Sequence, residues 1–300
     1  MSSQHRAHLQ DTWGFTEGDP ITEDLTAMRL LGGGENFEAY LAFDDVTYGA
    51  VVVKMVRPGL VDSASVLRGL RREVASLDLV NHPVVVRGLR AVTEGERPHV
   101  VLEHLEGPRL STLIRKYGPL QQHQYLPLAI EIASALHYFR RVGLVHLDIK
   151  PSNIIMGAPA RLIDLSVART PEQAAQLTYP IGTDLYMAPE QTDPPTTGTP
   201  GYASDVFGLG ASLFEAIAGY RPFDDGDRDG ADLAARFPQT RDLSYTLPED
   251  KVAPDVAAAV YAALDPDPAK RPAPAELAEA LEPALARVPR GRLAGFKVRA

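Results

Sequence analysis

The stretch that most constrains the fold of this chain lies between residues 144 and 164, where polar side chains alternate with short apolar runs. Asp148, Lys150 and Asn153 are predicted to share one loop, because the proline that follows the lysine opposes a helix. Two apolar runs around a Gly-Ala-Pro turn come next, and they predict a β-hairpin. A hairpin folds the chain back on itself, so it would return Asp164 to the side of the loop.

This set of side chains points to a particular chemistry. A carboxylate can accept the proton of a hydroxyl group, a lysine can neutralise a phosphate, and an amide with a second carboxylate can hold Mg²⁺. A polar loop before a surface hairpin is the alternative, but it would rarely produce these groups at this spacing. The sequence therefore predicts a site for phosphoryl transfer.

Composition limits the class of protein. The chain has 300 residues, of which 45% are hydrophobic and 23% charged, which is ordinary for a globular protein with a sizeable core and room for two units. Its net charge of −9 argues against a nucleic-acid partner. The lack of cysteine excludes disulfides and thiol nucleophiles. We recognise no secretory signal and no membrane span, which predicts a cytoplasmic chain, and no pattern indicates a particular oligomeric state.

A glycine cluster precedes two predicted strands near the start of the chain. Gly32 and Gly34 would let backbone N–H groups approach phosphate oxygens, but taken alone they are better explained by a plain hairpin turn. The second of the two strands ends in Lys54.

A helix is predicted from Ser63 to Leu79, because apolar residues recur there at intervals of three and four. Ser63 is its predicted N-cap. Glu73 on this helix could be a solvated side chain that pairs with nearby arginines. A buried pair between Lys54 and Glu73 is the alternative.

The loop and hairpin resemble the catalytic loop of protein kinases, in particular that of bacterial Ser/Thr kinases of the eukaryotic (Hanks) type. The glycine cluster with Lys54 and the later segment that ends in Glu190 resemble further kinase motifs in the correct order. The residues that carry the resemblance in the loop are His146, Asp148, Lys150, Pro151 and Asn153, followed by Asp164.

The resemblance implies an α+β, bilobal protein-kinase fold. A small lobe with an antiparallel sheet and one main helix would span residues 21–103, and a larger, mostly helical lobe would span residues 104–286. A flexible leader over residues 1–20 and a basic tail over residues 287–300 would flank them.

The same resemblance implies ATP-dependent transfer of a phosphoryl group to Ser or Thr hydroxyls of a protein substrate, with ATP and Mg²⁺ as cofactors. Asp148 would be the catalytic base, and Lys150 would neutralise the γ-phosphate. Asn153 and Asp164 would hold Mg²⁺.

Further residues would bind ATP or support the site. Lys54, set by Glu73, would contact the α- and β-phosphates, and the backbone at Glu103 and Leu105 would bond adenine. The remaining ATP-binding residues would be Leu31, Gly32, Gly34, Ala39, Val52 and Ile155. Three residues would have structural roles: Glu190 and Arg271 as a pair, and Asp205 as a helix N-cap that also anchors the catalytic loop.

The chain departs from the kinase pattern at three positions. Phe37 stands where a third glycine would fall, and Ser166 replaces a glycine after the metal-binding aspartate. Leu147 stands where many kinases have an arginine that binds a phosphorylated activation segment. Because leucine offers no donor, we expect activity to depend little on phosphorylation of Thr170, Thr178 or Thr183, and we expect Thr183 to contact the catalytic loop.

Two alternatives remain open at this point. A pseudokinase, a nucleotide-binding or scaffolding module without turnover, would explain these departures, although every charged catalytic group is present. A small-molecule kinase of the aminoglycoside type would share the catalytic groups, but it would lack the segment that ends in Glu190 and its partner Arg271.

Overall fold

The computed structural model describes residues 11–227 and 232–289. Its first part is a five-stranded antiparallel sheet with one long helix. The elements of this small lobe are β1 (Leu25–Gly33), β2 (Phe37–Asp44), β3 (Gly49–Val56), α1 (Ala64–Leu79), β4 (Gly88–Val92) and β5 (His99–Glu103).

The order of the strands in the sheet is β1-β2-β3-β5-β4, and alternation along each strand sorts side chains between its two faces. On β3, Val51, Val53 and Met55 are buried in the upper core, while Val52 and Lys54 between them line the cleft. The two-residue period of the strand thus points Lys54 toward the large lobe.

The second part is mostly helical and contains one short hairpin. The helix Tyr202–Ala218 at its centre is buried along nearly its whole length, because most of its residues are apolar or small on every side. The elements are α2 (Leu110–Tyr117), α3 (Gln122–Val142), β6 (Ile154–Ile155), β7 (Arg161–Leu162), α4 (Pro171–Ala175), α5 (Pro189–Thr192), α6 (Pro194–Thr197), α7 (Tyr202–Ala218), α8 (Leu233–Arg236), α9 (Pro254–Ala263) and α10 (Pro274–Arg287). The expected bilobal architecture is confirmed.

Residues 11–21 form a strap across the outer face of the small-lobe sheet. The Nε1–H of Trp13 donates to the carbonyl oxygen of Val56 at 2.8 Å, and the ring of Phe15 meets that of Tyr40 edge-on at 5.5 Å. Ile21 is fully buried in the same cluster. Part of the leader expected over residues 1–20 therefore contacts the small lobe through Trp13 and Phe15, and residues 1–10 lie outside the described part of the chain.

Two further expectations from sequence need correction. The three consecutive valines at 84–86 predict a strand by their β-propensity, but they lie outside the sheet, and the N–H of Val86 donates to the carbonyl oxygen of Leu162 at 2.9 Å. Asp205 is in the first turn of α7 and is not its N-cap, which is Gly201. Both errors arise because tertiary contacts override the local pattern.

The last helix of the large lobe concerns the expected basic tail, and the length and apolar character of the helices concern the expected absence of a membrane span. α10 ends at Arg287, which pairs with Asp255, while residues 290–300 of the expected basic tail lie outside the described part. None of the helices in the described ranges combines the length and the apolar character needed to cross a membrane.

Candidate active site

A cleft of about 890 Å³ separates the two lobes, and the ATP-binding residues expected from the sequence line it. Its roof comes from the glycine loop and from β2 and β3, and its floor from the catalytic loop and the β6–β7 hairpin. The expected residues on its wall are Leu31, Gly32, Gly34, Ala39, Val52, Lys54, Glu73, Glu103, Leu105, Ile155, Asn153 and Asp164. A volume of this size suits a nucleotide-sized ligand.

Lys54 joins the two lobes at the inner end of the cleft. Its ammonium group donates to both carboxylate oxygens of Glu73 at 2.8 Å and to Oδ1 of Asp164 at 2.8 Å. Glu73 is 1% exposed and the Asp164 side chain 35%, so the first contact is buried and the second opens onto the cleft. The structure thus brings together three residues that are far apart in sequence.

The charges in this cluster stabilise one another. Burial by itself would lower the pKa of Lys54, but the carboxylates of Glu73 and Asp164 outweigh it and raise that pKa above its ordinary value. Burial likewise opposes ionisation of Asp164, and the Lys54 ammonium overcomes this and holds the pKa of Asp164 well below its usual range. Asp164 is therefore a carboxylate at neutral pH, as a metal ligand must be.

The catalytic loop carries a second polar cluster. Oδ1 of Asp148 accepts a hydrogen bond from the hydroxyl of Thr183 at 2.7 Å, and its Oδ2 lies 2.7 Å from the ammonium of Lys150. That ammonium also donates to the Thr183 hydroxyl at 2.6 Å. Thr183 thus contacts the catalytic loop, as expected, and holds the Asp148 carboxylate in one orientation.

Asn153 connects the Asp148 cluster to the cleft. Its amide nitrogen donates to the backbone oxygen of Asp148 at 3.0 Å and to the Asp148 carboxylate at 3.1 Å. This orientation leaves the amide oxygen of Asn153, together with the Asp164 carboxylate, as hard oxygen ligands. Such ligands suit Mg²⁺, so the residues fit the metal that the sequence predicts.

Asp205 supports the catalytic loop from beneath. Its carboxylate accepts hydrogen bonds from the backbone N–H groups of His146 at 2.8 Å and Leu147 at 2.7 Å. Burial raises the pKa of Asp205 to about 7, against the two N–H donors, which lower it. Leu147 adopts a φ of +66°, which is rare for a branched side chain, and the paired N–H groups hold that turn in place.

Glu190 and Arg271 form the pair that the sequence predicts. Two guanidinium nitrogens of Arg271 donate to the two carboxylate oxygens of Glu190 at 2.6 and 2.9 Å, and the Ser204 hydroxyl adds a third bond at 2.7 Å. Both partners are buried, so α5 is fixed to the large lobe. The two residues lie away from the cleft, which agrees with a structural role.

Sequence reasoning missed several contacts that shape the site. The Arg161 guanidinium binds the Glu103 carboxylate and the carbonyl oxygen of Val85, where the chain crosses between the lobes. Arg57 donates through Nε to the Gly34 carbonyl oxygen at 2.7 Å and so holds the glycine loop. Neither arginine belongs to a motif, so only the folded chain reveals its role.

Comparison with known proteins places these features in a family. The protein kinase domain family matches residues 25–281. The chain is 36% identical over 234 residues to the serine/threonine-protein kinase PknK of Mycobacterium tuberculosis, covering 75% of this chain and 20% of that protein.

Two further relatives are also named serine/threonine-protein kinases. The chain is 31% identical over 272 residues to the serine/threonine-protein kinase pkn2 of Myxococcus xanthus, covering 85% of this chain and 31% of that protein. It is 30% identical over 203 residues to the serine/threonine-protein kinase PknB of Mycobacterium leprae, covering 65% of this chain and 32% of that protein. The chain thus spans a third or less of the length of these relatives. The match over most of the chain and the geometry of the cleft lead to one conclusion: the chain belongs to the protein kinase domain family.

Proposed function

We propose that this chain is an ATP-dependent serine/threonine protein kinase that acts in the cytoplasm. The observation that carries the proposal is that Lys54, Asn153 and Asp164 line one cleft of nucleotide size, while the Asp148 carboxylate accepts a hydrogen bond from Asn153. These are the groups that positioning and electrostatic stabilisation of a transferring phosphoryl group require.

Each group has a proposed role in the transfer. Asp148 orients the substrate hydroxyl and accepts its proton, while Lys150 neutralises the γ-phosphate. Lys54, held by Glu73, binds the α- and β-phosphates. Asn153 and Asp164 would hold Mg²⁺, which supplies positive charge to the phosphate oxygens when it is bound.

The adenine end of the cleft is proposed to be apolar, with the backbone of Glu103 and Leu105 as its polar edge. The hydroxyl-bearing substrate is proposed to approach from the side of Thr183, which touches both Asp148 and Lys150. A lysine two residues after the catalytic aspartate is typical of Ser/Thr kinases, which favours Ser and Thr over Tyr as acceptors.

A pseudokinase is the second candidate, and the aromatic ring of Phe37 beneath the glycine loop is the observation that favours it. The intact Asp148–Lys150–Thr183 cluster argues for turnover, because a module without catalysis does not need it. A small-molecule kinase ranks last, because the buried Glu190–Arg271 pair supports a segment that such enzymes lack.

The test compares phosphate transfer by the wild type and by Asp148→Asn, with labelled ATP and Mg²⁺ and with the chain itself and a cell extract as acceptors. We expect label on Ser and Thr residues with the wild type and a loss of at least about a hundredfold with Asp148→Asn, since general base catalysis contributes about 10²–10⁴. The control is Asp255→Asn, which changes a carboxylate that lies outside the cleft in a pair with Arg287. No labelling above that of the extract alone by either protein would favour the pseudokinase, and equal labelling above that level would show that Asp148 is not the catalytic base.

A further inference from the structure

The Phe37 side chain lies in the cleft, because β2 alternates. Glu38, the next residue, is buried on the opposite face, where its carboxylate accepts a hydrogen bond from Arg57 at 2.7 Å. Phe37 and Ala39 therefore point down toward the large lobe, and both line the cleft.

The backbone of the glycine loop fixes the position of Phe37. The N–H of Gly34 donates to the Phe37 carbonyl oxygen at 2.9 Å and closes a tight turn. A Cβ on Gly33 would lie 2.7 Å from that oxygen, so a side chain there would force the turn apart. The N–H of Arg57 also donates to the carbonyl oxygen of Asn36 at 3.0 Å, which ties the turn to the end of β3.

The Phe37 ring covers the ammonium group of Lys54. The Nζ atom lies 5.0 Å from the ring centroid, within the range of a cation–π contact. The same ammonium group donates hydrogen bonds to the carboxylates of Glu73 and Asp164. A phosphate group can reach Lys54 only if one of these contacts is given up.

We propose that Phe37 is a nucleotide-selectivity residue, whose ring occupies a position on Lys54 that a phosphate group needs and so weakens ATP binding relative to adenosine binding. The inference rests on the proposed function, since it assumes that the cleft takes ATP. It assigns Phe37 an effect on the phosphate end of the ligand and none on the adenine end.

The test measures dissociation constants for Mg²⁺-ATP and for adenosine by calorimetry. Phe37→Ala removes the ring and is expected to raise the preference for ATP over adenosine by about threefold to tenfold, the effect of losing one competing cation–π contact. The adenosine constant itself should stay close to that of the wild type.

Three comparisons isolate the cause. Phe43→Ala makes the same change on the same strand at a site where the ring meets Tyr48, and it should leave the preference unchanged. Phe37→Leu keeps apolar volume without an aromatic face and should give an intermediate preference even if Phe37→Ala folds poorly. In a Lys54→Met background, Phe37→Ala should have no effect, because the ring acts through the ammonium.

The outcomes separate this inference from the kinase proposal. If the wild type binds both ligands and the preference is unchanged or falls in Phe37→Ala and Phe37→Leu, the inference is wrong and the kinase proposal stands. If the wild type binds neither ligand, the kinase proposal fails and the inference fails with it.

Discussion

At the scale of single residues, the Glu190–Arg271 pair shows how the large lobe depends on buried charge. The two side chains are 1% and 0% exposed and are joined by two hydrogen bonds. Charges this deep are tolerated only when each has its partner, because neither can be solvated by water. Either residue alone would be an uncompensated buried charge.

Arg271→Gln is therefore expected to lower the free energy of unfolding by about 3–5 kcal/mol, the usual effect of removing one partner of a buried pair. Denaturation with urea measures the change. Arg287→Gln is the matched control, because its pair with Asp255 is exposed on both sides and its loss should not be measurable. Equal stability of Arg271→Gln and wild type would contradict the structural role of the pair.

Residue pairs of this kind could be predicted from the sequence where both partners belong to recognised motifs. Lys54 with Glu73, and Glu190 with Arg271, follow from the order of motifs along the chain. The contact of Phe37 with Lys54 could not, because it depends on the turn that closes between Gly34 and Phe37 and on the strand register that follows. Phe37 is the first residue of β2, so the alternation along that strand gives the direction of its side chain only once the start of the strand is known.

At the scale of elements, apolar contacts hold the segment between Asp164 and Glu190 in place. Leu147 lies in a buried cluster with Val145. The segment contributes the other buried members of that cluster, Ala174, Leu177 and Ile181. An arginine at position 147 would need a phosphate partner, whereas leucine is satisfied by apolar neighbours that the chain already supplies.

We expect Thr178→Ala, which removes an exposed hydroxyl from this segment, to keep most of the wild-type rate. Leu177→Ser should lower the rate strongly, because it takes apolar surface out of the cluster at a cost of about 2–3 kcal/mol. Initial rates of phosphate transfer test both variants, and hydrogen exchange shows whether the segment opens. Loss of most of the rate in a folded Thr178→Ala would mean that phosphorylation orders the segment after all.

Elements were predicted well where a repeating pattern was long. The helix predicted from Ser63 to Leu79 appears as Ala64–Leu79, and the two strands predicted after the glycine cluster form as β2 and β3, because their apolar residues keep one period over several turns or pleats. Residues 84–86 were assigned to a strand because three consecutive valines favour one. Their hydrogen-bond partner is Leu162 in the other lobe, and nothing in the local sequence encodes that distant edge.

At the scale of the whole molecule, the small lobe is completed by residues that precede the kinase domain match. The match begins at residue 25, yet Trp13, Phe15 and Ile21 pack on the upper face of the sheet. Arg57 links this strap to the glycine loop, since its guanidinium contacts both the Asp11 and the Gly34 carbonyl oxygens.

A chain that starts at Leu25 is therefore expected to be less stable than one that starts at residue 11, which retains Trp13, Phe15 and Ile21. Loss of their apolar contacts should lower the free energy of unfolding by about 3–5 kcal/mol, with a corresponding fall in melting temperature. Thermal unfolding of the two chains measures the difference. Equal melting temperatures would show that the strap adds nothing to the small lobe.

The link between residues 84–86 and β7, reinforced by Arg161 and Glu103, fastens the lobes along one edge. The lobes also meet through Lys54 and the partly exposed Asp164, and Asp164 follows β7 by only two residues. These two links therefore reach the large lobe through the same short stretch of chain, residues 161–164. In the proposed kinase, a substitution that displaces the β6–β7 hairpin would thus disturb the spacing of the lobes and the position of the phosphate-binding lysine together.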